Sequence, residues 1–104
     1  MIPTDRVIKK LDELLYKNDY DGAKRHLLYW KNEAKSCSDD KVYLLIQNEL
    51  MGLYRKLGEK EEAIECVQSA LEKITQMGVG AQTGAATTYL NCATVYKAFG
   101  MADC

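Results

Sequence analysis

Residues 50–70 read LMGLYRKLGEKEEAIECVQSA, two helical patterns joined at one glycine. Leu50, Tyr54 and Leu57 recur at i, i+4 and i+7, one apolar face of a helix. Gly58 follows where a helix end needs a left-handed residue that carries no steric penalty. Glu59, Glu61 and Glu62 then place negative charge at the start of the next helix, which its dipole favours; the same trio also reads as an acidic pair site. Ala63, Val67 and Ala70 carry a second apolar face. The pattern predicts two antiparallel helices meeting across a tight turn, with the small Ala63 at their closest approach.

Working outward, the same grammar recurs. Thr4 is a candidate N-cap with Asp5 in the first turn, and Val7, Leu11, Leu14 and Leu15 give a helical stripe to about residue 17. Asn18-Asp19 is a turn, after which Ala23, Leu27, Trp30 and Ala34 define a second helix with Trp30 in its core face. Ser36-Cys37-Ser38-Asp39 reads as a capping loop. A third helix is expected over 40–57, apolar on more than one side through Val42, Leu44, Leu45, Ile46, Leu50 and Leu53. A fourth spans 60–76, Met77-Gly78-Val79-Gly80 is a break, and a fifth covers 81–99 and ends at Gly100. The fifth helix is expected to turn Tyr89, Cys92, Ala93, Tyr96 and Phe99 to the core. No long alternating run suggests a strand, and the only proline is Pro3.

Composition bounds the function. Hydrophobic residues make up 47% and charged residues 28% of 104 positions, the balance of an ordinary globular chain. A net charge of −1 provides no field for nucleic acid or an anionic membrane, and no apolar run is long enough to span a bilayer. The first six residues show no secretory signal pattern. Cys37, Cys66, Cys92 and Cys104 form no C-x-x-C pair, and the single His26 has no zinc partner, so no metal or cofactor is expected. Scattered thiols suit a reducing, cytoplasmic setting; a disulfide scaffold is the alternative, for chains too poor in apolar residues to build a core. No nucleophile–base spacing or phosphate loop marks an enzyme, so no catalytic residue is assigned.

Ala23 and Ala63 hold equivalent places 40 residues apart, and YRKLG at 54–58 is echoed by YKAFG at 96–100, 42 residues on. A near-constant period with helix–turn–helix content is the mark of an α-solenoid. The chain here resembles the tetratricopeptide repeat family, whose pattern runs W-x-x-L-G-x-x-Y, then A-x-x-x-F, then P. Leu50, Tyr54 and Ala63 match, Val67 stands for the phenylalanine, Met51 for the small residue, and Gln47 replaces the aromatic. In the third unit Tyr89, Cys92, Ala93 and Tyr96 take the four places of the first motif. The first unit keeps Ala23, with Leu27 and Leu14 as substitutes and Leu11 too large for the small place; the closing proline is absent throughout. The period exceeds the family's usual 34 and is similar to that of its long-helix members.

The resemblance implies an all-α, right-handed α-α superhelix of about five antiparallel helices. Its units fall at about 4–38, 39–78 and 79–104, the last incomplete. It further implies a concave face that binds a protein or peptide segment as a scaffold. On the third helix that stripe is Leu45, Asn48, Glu49, Gly52 and Arg55; on the fifth it is Thr87, Leu90, Asn91, Thr94 and Lys97. Asn91 is similar to the asparagine with which family members hold a bound peptide backbone, since an amide both donates and accepts. Arg55 and Lys97 suit carboxylates on a ligand, and Asn48 and Glu49 complete the peptide-binding set. A merely solvated polar face is the alternative for all five. Gly52 reads either as room for a ligand or as a displaced small packing residue. The rival functions are self-association and a regulatory segment of a larger enzyme or transcription regulator. Ala86, Tyr89, Leu90, Ala93 and Phe99 leave apolar area on the fifth helix, so a piece of a longer repeat protein, dimeric in isolation, is expected.

Overall fold

The computed structural model describes residues 2–78 and 82–100. Five helices follow one another: α1 Thr4–Tyr16, α2 Tyr20–Ser36, α3 Asp40–Leu57, α4 Lys60–Met77 and α5 Gln82–Ala98. Among the described residues there is no strand. Val79, Gly80 and Ala81 of the expected break, and Met101 to Cys104 with the fourth cysteine, lie outside the described residues.

Three of the connections are built alike. Asn18, Ser38 and Gly58 each take a left-handed backbone, with φ of 59°, 55° and 72°. In each, the next N–H reaches back to the helix just ended: Asp19 to the Leu14 carbonyl at 2.8 Å, Asp39 to Ala34 at 2.9 Å and Glu59 to Tyr54 at 2.9 Å. That is the Schellman closure, which satisfies carbonyls the helix leaves without partners. The residue after each turn is acidic and starts the next helix. Asp19 accepts from the Gly22 N–H and Asp39 from the Val42 N–H. Glu59 makes no such cap; its carboxylate instead pairs with Lys24 of α2, and that bond raises the lysine's pKa above its ordinary value. The glutamate therefore ties helices together in addition to lying at a favourable helix end. The turns recur every 20 residues, half the 40-residue spacing of Ala23 and Ala63.

Thr4 is not the cap of α1. The Pro3 carbonyl already accepts the Val7 N–H at 3.0 Å, so the helix opens one residue earlier and Thr4 is its first helical position. Its hydroxyl points back to the Ile2 carbonyl at 3.4 Å.

Helix α3 is the centre of the structure and packs on α2, α4 and α5. Leu44, Ile46, Leu50, Met51, Leu53 and Tyr54 are all buried on it, on several sides, as its apolar pattern requires. Ala23, Ala63 and Ala70 are fully buried, and the small side chains let the neighbouring helices approach. Trp30 is only half-buried. It bridges the main core and a small cluster of Ile2, Val7 and Ala34, with its ring edge-on to Tyr29 at 5.0 Å. The described residues extend 36 × 32 × 19 Å, so the thin dimension holds two helix diameters.

Candidate binding face of helices α3 and α5

The expected inner stripe of α3 meets α5 through a polar chain. Thr88 is completely buried, and its hydroxyl donates to the Gly84 carbonyl at 3.0 Å. Asn48 Nδ2 donates both to Thr88 Oγ1 and to the Leu44 carbonyl, each at 3.0 Å. Asn91 Nδ2 donates to Asn48 Oδ1 at 3.0 Å. A threonine can be buried here because its oxygen is paired twice; an unpaired hydroxyl would cost stability. Next to it a Cβ on Gly84 would come within 3.3 Å of Leu44 Cδ2, so the two helices run close at this end.

This geometry corrects the expected core face of α5. Cys92 is buried as expected, but Tyr89 is 54% exposed and Ala93 is exposed, while Thr88 and Val95, not expected there, are buried. Tyr96 and Phe99 are half-buried against the core. The helix is rotated toward the side that holds Thr88, because the paired hydroxyl fits between the helices and the bulkier tyrosine ring stays outside.

Of the five residues expected to bind a peptide, the structure brings Asn48 and Asn91 together. Asn48 spends both sides of its amide inside the interhelical chain. Asn91, half-buried at its end, keeps a carbonyl oxygen with no hydrogen bond among the described residues. Glu49, Arg55 and Lys97 are exposed and form no ion pair among the described residues. The Glu49 carboxyl nevertheless has a raised pKa. Neighbouring atoms strip part of its water, and the negative charge of Asp12 on α1 acts in the same direction. Leu45 and Leu90 are exposed beside these groups, Leu90 at 68%. Gly52 opens onto the same side: a Cβ there would meet nothing within 4 Å, so the displaced-packing reading of this glycine is not supported.

Thr88 and Asp12 were missed as site residues. The signal for Thr88 was present, since it lies 40 residues beyond Asn48, the spacing that also separates Ala23 from Ala63.

Elsewhere the titratable groups serve the fold. His26 Nε2 donates to the Val7 carbonyl at 2.8 Å, joining α2 to α1. Cys37 is exposed; Cys66 and Cys92 are buried free thiols, and burial pushes Cys66 up to about 11. Among the described residues no three His, Cys, Asp or Glu side chains are placed to hold a metal, and no helix is long and apolar enough to cross a membrane.

Comparison with known proteins returns no match: no family model, no curated protein and no solved structure resembles the chain closely enough to place it.

Proposed function

We propose that the chain is a tetratricopeptide-like helical array that binds a protein or peptide segment along the open side of α3 and α5. The observation that carries this reading is the unspent chemistry there. Among the described residues the Asn91 carbonyl has no hydrogen bond and Glu49, Arg55 and Lys97 have no ion-pair partner, and Leu45 and Leu90 supply exposed apolar surface on the same two helices. Paired amide groups and charges at fixed spacing can hold an extended backbone and its side chains. The 20-residue recurrence of the turns supports a repeat architecture, in which such a side becomes concave. The work is recognition without chemistry, without a cofactor, nucleic acid or membrane. The free thiols fit a cytoplasmic setting.

The test is selection of displayed random peptides on the full chain, followed by calorimetry with Arg55→Ala and Lys97→Ala. Both positions are exposed, so the variants keep the wild-type melting temperature. Each weakens binding severalfold. Peptides that bind both variants as tightly as the wild type would return this side to a solvated surface.

A second reading is favoured by Tyr89 and Leu90, which stand exposed and adjacent on α5. In it a second copy covers them as a symmetric dimer. Light scattering over a dilution series separates the two readings, since only a dimer loses mass on dilution.

A further inference from the structure

Helices α3 and α5 end alike. YRKLG at 54–58 and YKAFG at 96–100 both close on a left-handed glycine, with φ of 72° and 73°. In each, the glycine N–H meets the carbonyl three residues back at 3.2 Å. Residues 42 apart on the two helices therefore correspond: Gln47 with Tyr89, Met51 with Ala93 and Tyr54 with Tyr96. On α3 this side is covered by α4. Gln47 and Tyr54 line one recess with Cys66 and Ser69 of α4, and Gln47, Met51 and Tyr54 are 2%, 0% and 6% exposed. On α5 the same side is open: Tyr89 is 54% exposed, Ala93 is exposed and Tyr96 is half-buried. None of residues 82–96 is charged. A solvated helix face carries charge; an exposed face without it, beside a large aromatic ring, has the composition of a contact surface.

The geometry points to this side of α5 as the seat of a helix from a partner protein, laid antiparallel on α5 as α4 lies on α3. The charges at the helix ends define the partner's chemistry. α3 ends in Arg55 and Lys56, and α4, which covers it, opens with Glu61 and Glu62. α5 ends in Lys97, which is exposed and has no ion pair among the described residues. The docked helix accordingly opens with acidic residues beside Lys97 and lays an uncharged apolar face along Tyr89, Ala93 and Tyr96. The seat rests on the correspondence of α3 with α5; peptide binding along their other open side is not required for it.

The probe is a synthetic peptide of residues 59–77, which carries the acidic start and apolar face of α4. Added to the full chain under reducing conditions, it shifts the NMR signals of Tyr89 and Ala93 in a saturable way and gains helix by circular dichroism. The same peptide with Val67→Glu does not bind, because it would bury a charge against the seat. Ala93→Glu in the protein weakens the wild-type peptide by about tenfold or more. That position is exposed, so the variant keeps its melting temperature. Four results overturn the proposal. The first is the absence of any saturable shift. Shifts centred on Gln47 and Met51 mean that the peptide replaces the chain's own α4. Shifts at Glu49 and Gly52 without Tyr89 place it on the α3–α5 side instead. A dimer by light scattering that Ala93→Glu converts to monomer gives the seat to a second copy.

Discussion

Gly52 and Gly58 make a matched pair for testing the backbone reading. Both are in α3 or at its end, and at both an added Cβ would meet nothing within 4 Å. They differ in backbone conformation: Gly52 lies within the helix, whereas Gly58 caps its end at a φ of +72°. Gly52→Ala therefore removes the helix-interior penalty of glycine, about 0.5–1 kcal/mol, with no clash to subtract. Gly58→Ala places a Cβ in the left-handed region and costs about 1–2 kcal/mol. The two substitutions should move stability in opposite directions, by on the order of 4 °C in Tm for each kcal/mol in a domain of this size. Thermal and urea unfolding followed by circular dichroism measure both. The pair also separates fold from function: the new methyl of Gly52→Ala projects onto the side proposed for binding, so a selected peptide should bind less tightly to a more stable protein. A Gly52→Ala protein that melts below the wild type would refute the open-space argument. A neutral Gly58→Ala would refute the strained turn.

Four further outcomes follow from the packing. Ala63→Leu overpacks a completely buried position and costs about 1–3 kcal/mol; an unchanged denaturation midpoint would displace Ala63 from the α3–α4 contact. Thr88→Val keeps shape but removes the shared hydroxyl, at about 1 kcal/mol, and Asn48→Ala should be non-additive with Asn91→Ala in a double-mutant cycle; additive losses would dissolve the chain of hydrogen bonds. Because the folded pKa of Glu49 lies above its unfolded value, this group's contribution is full below the unfolded pKa and is lost as pH rises through the folded one. Asp12→Asn should lower that pKa in an NMR titration, and a value that stays put would mean the two carboxylates do not sense each other. Cys66 and Cys92 should react with a thiol reagent only after unfolding, whereas Cys37 reacts in the native protein; rapid native labelling of Cys66 would contradict its burial.

The helices were legible because their signals are local. The αL residue, the acidic start and the apolar stripe lie within a few positions of one another around 18–19, 38–39 and 58–59, and they mark the helix ends to within a residue or two. The face of α5 was not legible by the same means. Its apolar residues run all round, at Ala85, Ala86, Tyr89, Leu90, Cys92, Ala93, Val95 and Tyr96, so no stripe stands out. What orients it is Thr88, polar by composition yet buried because Asn48 and the Gly84 carbonyl complete its hydrogen bonds. That partnership spans 40 residues and exists only once α3 and α5 lie together. The candidate side shows the same division. Glu49, Arg55 and Lys97 could be found as polar residues on one helical stripe, but the asparagines could not be sorted. From the stripe alone Asn48 and Asn91 are equals; in the structure Asn48 is consumed by the helix contact and the Asn91 carbonyl oxygen has no hydrogen bond among the described residues. Asn91→Ala therefore cannot be stability-neutral, since it takes a hydrogen bond worth about 0.5–1.5 kcal/mol from Asn48. A binding effect at that position has to be judged against the melting temperature of the same variant, and Arg55 and Lys97 provide the cleaner measure of the side as a binding surface.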